Sequence, residues 1–367
     1  MNHGQVSFRV APLAVLVAAA AAAFVFGPAW SARVAAAPWL IALVVVGLPH
    51  GAADLAVSRR LCGWPATLRL FAVYAALMAA VMLAFAVAPR PMVVLFAALS
   101  IWHFGLSHAH GQSPPVPAGW PWLALAAVAR GASVLGVPLA VWPAETSAIV
   151  SDLVGLVSGA AAGMPLAFAP ETVRATGVCL TAAGLTALAG EEFASRRLPG
   201  ATGRSAETLI DLLVIGLLGV AADPLFAIGL YFLCWHAWRE MRPLIAVISP
   251  PAAGESPPAG GMATLVRGVV AVHVAALPLL IPTWTALGIG WWLLSPSHSP
   301  RDLAVLSLAV YLVVTPSHEA LVDFLAAASP CCPWLATPTP CRHPQFSSRH
   351  QSANAPATSY AVHSVSS

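Results

Sequence analysis

Residues Val34–Asp54 read VAAAPWLIALVVVGLPHGAAD, and this stretch decides the fold class. From Val34 to His50 it holds no Asp, Glu, Lys or Arg, and it approaches the ~20 apolar residues a helix needs to cross a bilayer. Its apolar residues are continuous, without the alternation of a half-buried strand, so a helix is the reading. The stretch then closes on Pro49, His50, Gly51 and a carboxylate, Asp54. A metal-binding side chain at that depth is costly, and so marks a candidate functional site.

The same apolar pattern extends outward through the chain. Of 367 residues, 59% are hydrophobic and 8% charged, and mean hydropathy is +0.81. Soluble proteins carry about 25% charged residues. The expected fold class is therefore all-α, a polytopic integral membrane bundle of about eight to ten transmembrane helices. Candidate spans are Val10–Gly27, Val34–His50, Leu68–Ala88, Met92–His108, Trp120–Trp142, Ile149–Phe168, Val173–Ala189, Thr208–Ala222, Leu225–Trp238, Leu265–Pro282, Thr283–Leu294 and Leu303–Leu325. Val10–Gly27 is read as a retained first span rather than a signal peptide. Residues 1–328 are expected to form a single transmembrane domain with a metal site. From Ser329 to Ser367 the chain turns rich in Pro, Ser, Cys and His, and reads as a disordered or aberrant tail.

The net charge of +3 is scattered, which excludes nucleic acid as a partner. All 17 basic residues are Arg, and with the Ala-rich composition they point to a GC-rich bacterial genome; the expected location is multi-pass in the bacterial cytoplasmic (inner) membrane. The six cysteines contain no CxxC pair, so neither a disulfide framework nor a zinc-thiolate site is expected.

Three histidines stand in similar places: His50 in GLPHGAAD, His103 in SIWHFG (Ser100–Gly105) and His236 in YFLCWHAWRE (Tyr231–Glu240). Each lies toward the C-terminal end of its apolar segment. If the early spans alternate, His50 and His103 reach similar depth, so the three are candidates for one shared site. Asp54, at i+4 from His50, is placed to accept its second ring N–H, the usual outer arrangement for a metal-bound imidazole. Glu240, at i+4 from His236, is placed to add a carboxylate to the same ion. Imidazoles with a carboxylate and no thiolate suit iron, zinc, copper or manganese.

Each also has an ordinary explanation. His50 and Asp54 suit an interfacial His and a helix cap, and Trp235, Trp238 and Arg239 suit a headgroup girdle around His236. His108 and His110 read as interfacial, and His273 as a satisfied core residue. His318, in TPSHEALVD (Thr315–Asp323), follows Pro316, where a helix break is expected. Arg130 lies deep in its span and requires a carboxylate partner, for which Asp54, Asp152 and Asp211 are the candidates.

Together GLPHGAAD, WHFG (Trp102–Gly105), ARG with LGVPL (Ala129–Leu139), YFLCWHAWRE and TPSHEALVD resemble, in this order, the Brp/Blh family of β-carotene 15,15′-dioxygenases. The resemblance implies helical membrane proteins that hold non-haem Fe(2+) through histidines. They cleave the central double bond of β-carotene with O2 into two all-trans-retinal molecules, often in functional link to a rhodopsin. It implies His50, His103 and His236 as iron ligands. The family's WHxxxH carries a second histidine where this chain has Glu240, which is taken as the fourth ligand. Asp54, Arg130 and His318 are taken as supporting residues. Trp102, Phe104, Tyr231, Phe232 and Trp235 are candidate linings of a tunnel taking carotenoid from membrane lipid, although ordinary helix packing explains any one of them equally well. Two other classes compete. One is a non-catalytic carotenoid- or retinal-binding membrane protein whose metal site has decayed at Glu240. The other is a proton-coupled transporter, for which matching broken-helix halves would be required.

Overall fold

Lipid offers the backbone no hydrogen-bond partner, so the apolar runs must satisfy their N–H and C=O groups within helices. A computed structural model describes residues 9–110, 120–158, 168–195, 204–250, 262–295 and 297–328, and among these every regular element is helical. The expected change of character at Ser329 lies outside the described residues.

In chain order the helices are α1 (Ala11–Phe26), α2 (Pro28–Arg33), α3 (Ala37–Val45), α4 (Gly47–Ala52), α5 (Asp54–Cys62), α6 (Trp64–Val87), α7 (Pro89–His110) and α8 (Trp120–Val141). They continue as α9 (Pro143–Ser158), α10 (Pro170–Ser195), α11 (Arg204–Ala221), α12 (Pro224–Leu230), a π-helix (Tyr231–Ala237), α13 (Trp238–Ile248), α14 (Met262–Leu294) and α15 (Pro300–Ala328). Proline opens many of them, because its missing N–H is not needed in a first turn. Asp223 caps α12 by accepting from the N–H groups of Leu225 and Phe226, at 2.9 and 3.3 Å.

Among the described residues, seven segments are long and apolar enough to cross a membrane, with the shorter Ala11–Phe26 beside them. The chain is a polytopic helical membrane bundle. Two features change the span boundaries. Leu265–Pro282 and Thr283–Leu294 form one helix, α14, which continues through Pro278 and Pro282. The Val34–His50 run extends to Cys62 as the broken span α3–α4–α5, interrupted at Val46, where φ is −142°.

Three helices, α7, α8 and α10, pack backbone to backbone. A Cβ on Gly105 would lie 1.9 Å from the Ala127 carbonyl oxygen, and one on Gly131 would lie 1.8 Å from that of Ile101, so neither position admits a side chain. Arg130 then pins α8 to α10 with a two-pronged pair to Glu191, at 2.6 and 3.0 Å. Of the three expected carboxylates, Asp54 pairs with His318 at 2.7 Å. Asp152 pairs with Arg301 at 3.0 Å, and Asp211 lies 3.4 Å from both Arg9 and His108. Glu191 closes the apolar run that begins at Val173, and tertiary packing alone sets it opposite Arg130. His108 is buried, 2% exposed, and the side chain of His110 lies outside the described residues. His273 is satisfied as expected, with its ring nitrogens near the carbonyls of Val269 and Val44, at 2.8 and 3.2 Å.

Candidate metal centre

Four separate elements each bring one histidine to a common point. The break at Val46 lets α4 start a new turn, which turns His50 inward. His103 comes from α7, His236 from the π-helix, and His318 from α15. Helix α15 runs through Pro316 without the expected break, so His318 sits on a continuous helix. Ligand atoms of His50, His103 and His318 all lie within 4.8 Å of one another. His236 lies beside the group: its Nε2 is 2.9 Å from His103 Nε2, and its ring centroid is 5.5 Å from that of His50.

The hydrogen bonds at the rear of the rings decide which nitrogens face the centre. His318 Nδ1–H donates to Asp54 at 2.7 Å. The Nδ1 of His103 is paired with the Glu319 carboxylate. The Nδ1–H of His50 donates to the Val46 carbonyl at 3.1 Å, an acceptor next to the break. With the Nδ1 atoms of His50, His103 and His318 engaged at the rear, Nε2 is the atom each ring has left to face the centre. Buried ring nitrogens gathered at one point form a donor set that a cation can take up, which offsets the cost of burying them. Carboxylate or carbonyl behind each imidazole is the outer arrangement typical of metal-bound histidine. The residues therefore fit a transition metal that accepts nitrogen ligands, such as iron, zinc or copper.

Several expected roles shift. Asp54 serves His318 and not its own-helix neighbour His50. His318, expected to support, lies within the ligand cluster. Glu240, expected as a ligand, accepts a hydrogen bond from the Ser107 hydroxyl and lines the smaller cavity with His50, His103 and His318. Arg130 does not reach the centre and acts between α8 and α10. Glu319 was missed as a partner, although a carboxylate next to His318 in an apolar helix was a signal.

Two cavities meet at the cluster, and His50, His103 and His318 line both. The larger, about 260 Å³, is apolar and receives Phe104 and Phe232 as expected. It also takes Trp39, Phe71, Phe96 and Tyr311, scattered over α3, α6, α7 and α15 with no shared motif to mark them. Of the other expected tunnel residues, Tyr231 packs behind Phe104 at 5.2 Å. Trp235 is 1% exposed, beneath the Arg239 guanidinium. Trp102 is not among the lining residues. The smaller cavity, about 130 Å³, carries Asp54, Ser107, Glu240, Glu319 and Asp323.

Residues 41–326 match the family model for beta-carotene 15,15′-dioxygenase. The chain is also 27% identical over 321 residues to "Probable beta-carotene 15,15′-dioxygenase Blh" of Halobacterium salinarum, a match covering 85% of this chain and 90% of that relative. No solved structure matches the chain.

Proposed function

Because the chain belongs to the beta-carotene 15,15′-dioxygenase family, we propose that it cleaves the central double bond of β-carotene with O2, giving two molecules of all-trans-retinal. The observation that carries this reading is the histidine cluster set in the wall of an apolar cavity inside a membrane bundle. A polyene hydrocarbon partitions into the bilayer, and a cavity lined by Trp39, Phe71, Phe96, Phe104, Phe232 and Tyr311 offers it contact without asking for polar recognition.

His50, His103, His236 and His318 are proposed to hold Fe(II), with Asp54 and Glu319 fixing the rings of His318 and His103. Bound ferrous iron supplies the ability to bind and reduce dioxygen, which neither the polyene nor these side chains possess. The protein residues orient: the histidines present lone pairs on one side of the apolar cavity, and the aromatic walls press a C=C bond toward them. The residues lining the apolar cavity include no carboxylate, consistent with an alkene cleavage that needs no general acid.

Expression in bacteria that accumulate β-carotene tests the reading. Loss of orange colour with retinal appearing on chromatography is the expected result, and His103→Ala should abolish it. Lasting colour with no retinal from the intact chain would overturn the proposal.

A further inference from the structure

Glu240 shares the smaller cavity with the clustered histidines, and one of its carboxylate oxygens accepts from Ser107. On α7, His103 and Ser107 stand one turn apart, and across the gap His236 and Glu240 do the same. The two segments therefore meet in two successive rungs. One is His103 Nε2 against His236 Nε2 at 2.9 Å, and the next is the Ser107 hydroxyl donating to Glu240.

His236 needs such a rung because it sits near the end of a π-helix, Tyr231–Ala237. A π-turn holds an extra residue at poorer hydrogen-bond geometry, and such insertions favour functional sites. Loss of that extra residue to α-helical register would turn His236 by about 100° around the axis and away from His103. Arg239 lies over Trp235, 4.7 Å from the ring centroid, and joins the π-helix to the start of α13. The Ser107–Glu240 bond, at the first turn of α13, adds a polar tie to α7, the helix that carries His103, beside the ring contacts of Phe104 with Tyr231 and His108 with Trp235.

We infer that Glu240 is a positioning residue that holds the π-helical turn in register, so that His236 faces His103 across the metal centre. This rests on the reading of the histidine cluster as a metal centre. It replaces a coordinating carboxylate with a clamp in which any oxygen acceptor at position 240 serves.

Anaerobic Co(II) titration of the purified detergent-solubilised chain, read by its visible absorption bands, separates clamp from ligand. Glu240→Gln keeps an oxygen that accepts from Ser107, and should bind Co(II) nearly as the parent does with unmoved bands. Glu240→Ala and Ser107→Ala should each weaken binding by about 10-fold or more, as loss of a ring-orienting partner does. The double variant should be no weaker than the worse single one, because both remove the same contact. Ser107→Thr retains the donor and should retain affinity, which keeps the test decisive if Glu240→Ala fails to fold. Glu240→Gln falling as far as Glu240→Ala with shifted bands, while Ser107→Ala is silent, would overturn the clamp and make Glu240 a ligand. A parent chain that binds no Co(II), or a His318→Ala variant that binds as well as the parent, would instead overturn the metal centre and the clamp with it.

Discussion

Asp54 holds the ring proton on which the orientation of His318 depends. Its carboxylate is buried and accepts from His318 Nδ1–H at 2.7 Å, so His318 is left to offer Nε2. Asp54→Asn preserves shape and an acceptor oxygen but removes the charge. Metal content after dialysis against buffered metal should then reflect an affinity about 10- to 100-fold lower, with the helical circular dichroism unchanged. Metal retention equal to the parent would refute the orienting role. His50, His103 and His236 could be picked out from the chain because each interrupts an apolar run. The partner of Asp54 could not: an i+4 spacing points to His50, while the true partner lies 264 positions away on another helix. A local rule finds neighbours on one helix and is blind to what a second helix delivers.

Helix breaks decide which way these side chains point. At Gly47, just after the Val46 break, a Cβ would meet Phe232 Cε1 at 2.7 Å, the Ala42 carbonyl at 2.8 Å and the Tyr311 hydroxyl at 2.9 Å. Gly47→Ala should therefore cost about 1–3 kcal/mol through overpacking. It should also lower retinal output by displacing His50, three residues on. At Gly51 a Cβ would meet nothing within 4 Å, so Gly51→Ala should change stability by no more than about 0.5 kcal/mol. Thermal unfolding in detergent compares the two, and equal losses would discard the account of the break. Pro49 and Gly51 signalled a break near His50. The π-helix before α13 had no such signal, since Tyr231–Ala237 contains neither Pro nor Gly. Prolines also misled in the other direction, because α14 and α15 continue through Pro282 and Pro316. A single lost hydrogen bond is tolerated where neighbouring helices hold the rest.

Across the whole bundle, charge pairs in the interior register the helices that carry the site. The Arg130–Glu191 pair joins α8 to α10, and α8 in turn holds α7 and its His103. Glu191→Ala leaves a buried guanidinium without its carboxylate and should cost about 3–5 kcal/mol, seen as loss of monodisperse protein on size exclusion. Replacing both members together by Leu should restore much of that loss, and a double variant as unstable as the single would argue against a pairing role. The chain by itself determined the bundle, the helical class and the family, because apolar length and motif order survive any arrangement of helices. It also marked all four histidines, three as ligands and His318 as a supporting residue, since a polar group in an apolar run is visible one segment at a time. Only the tertiary structure decided that His318 completes the cluster, that Asp54 and Glu319 stand behind its rings, and that Glu240 turns to Ser107. Those pairings join residues more than 100 positions apart, and only the packing of whole helices sets which of them meet.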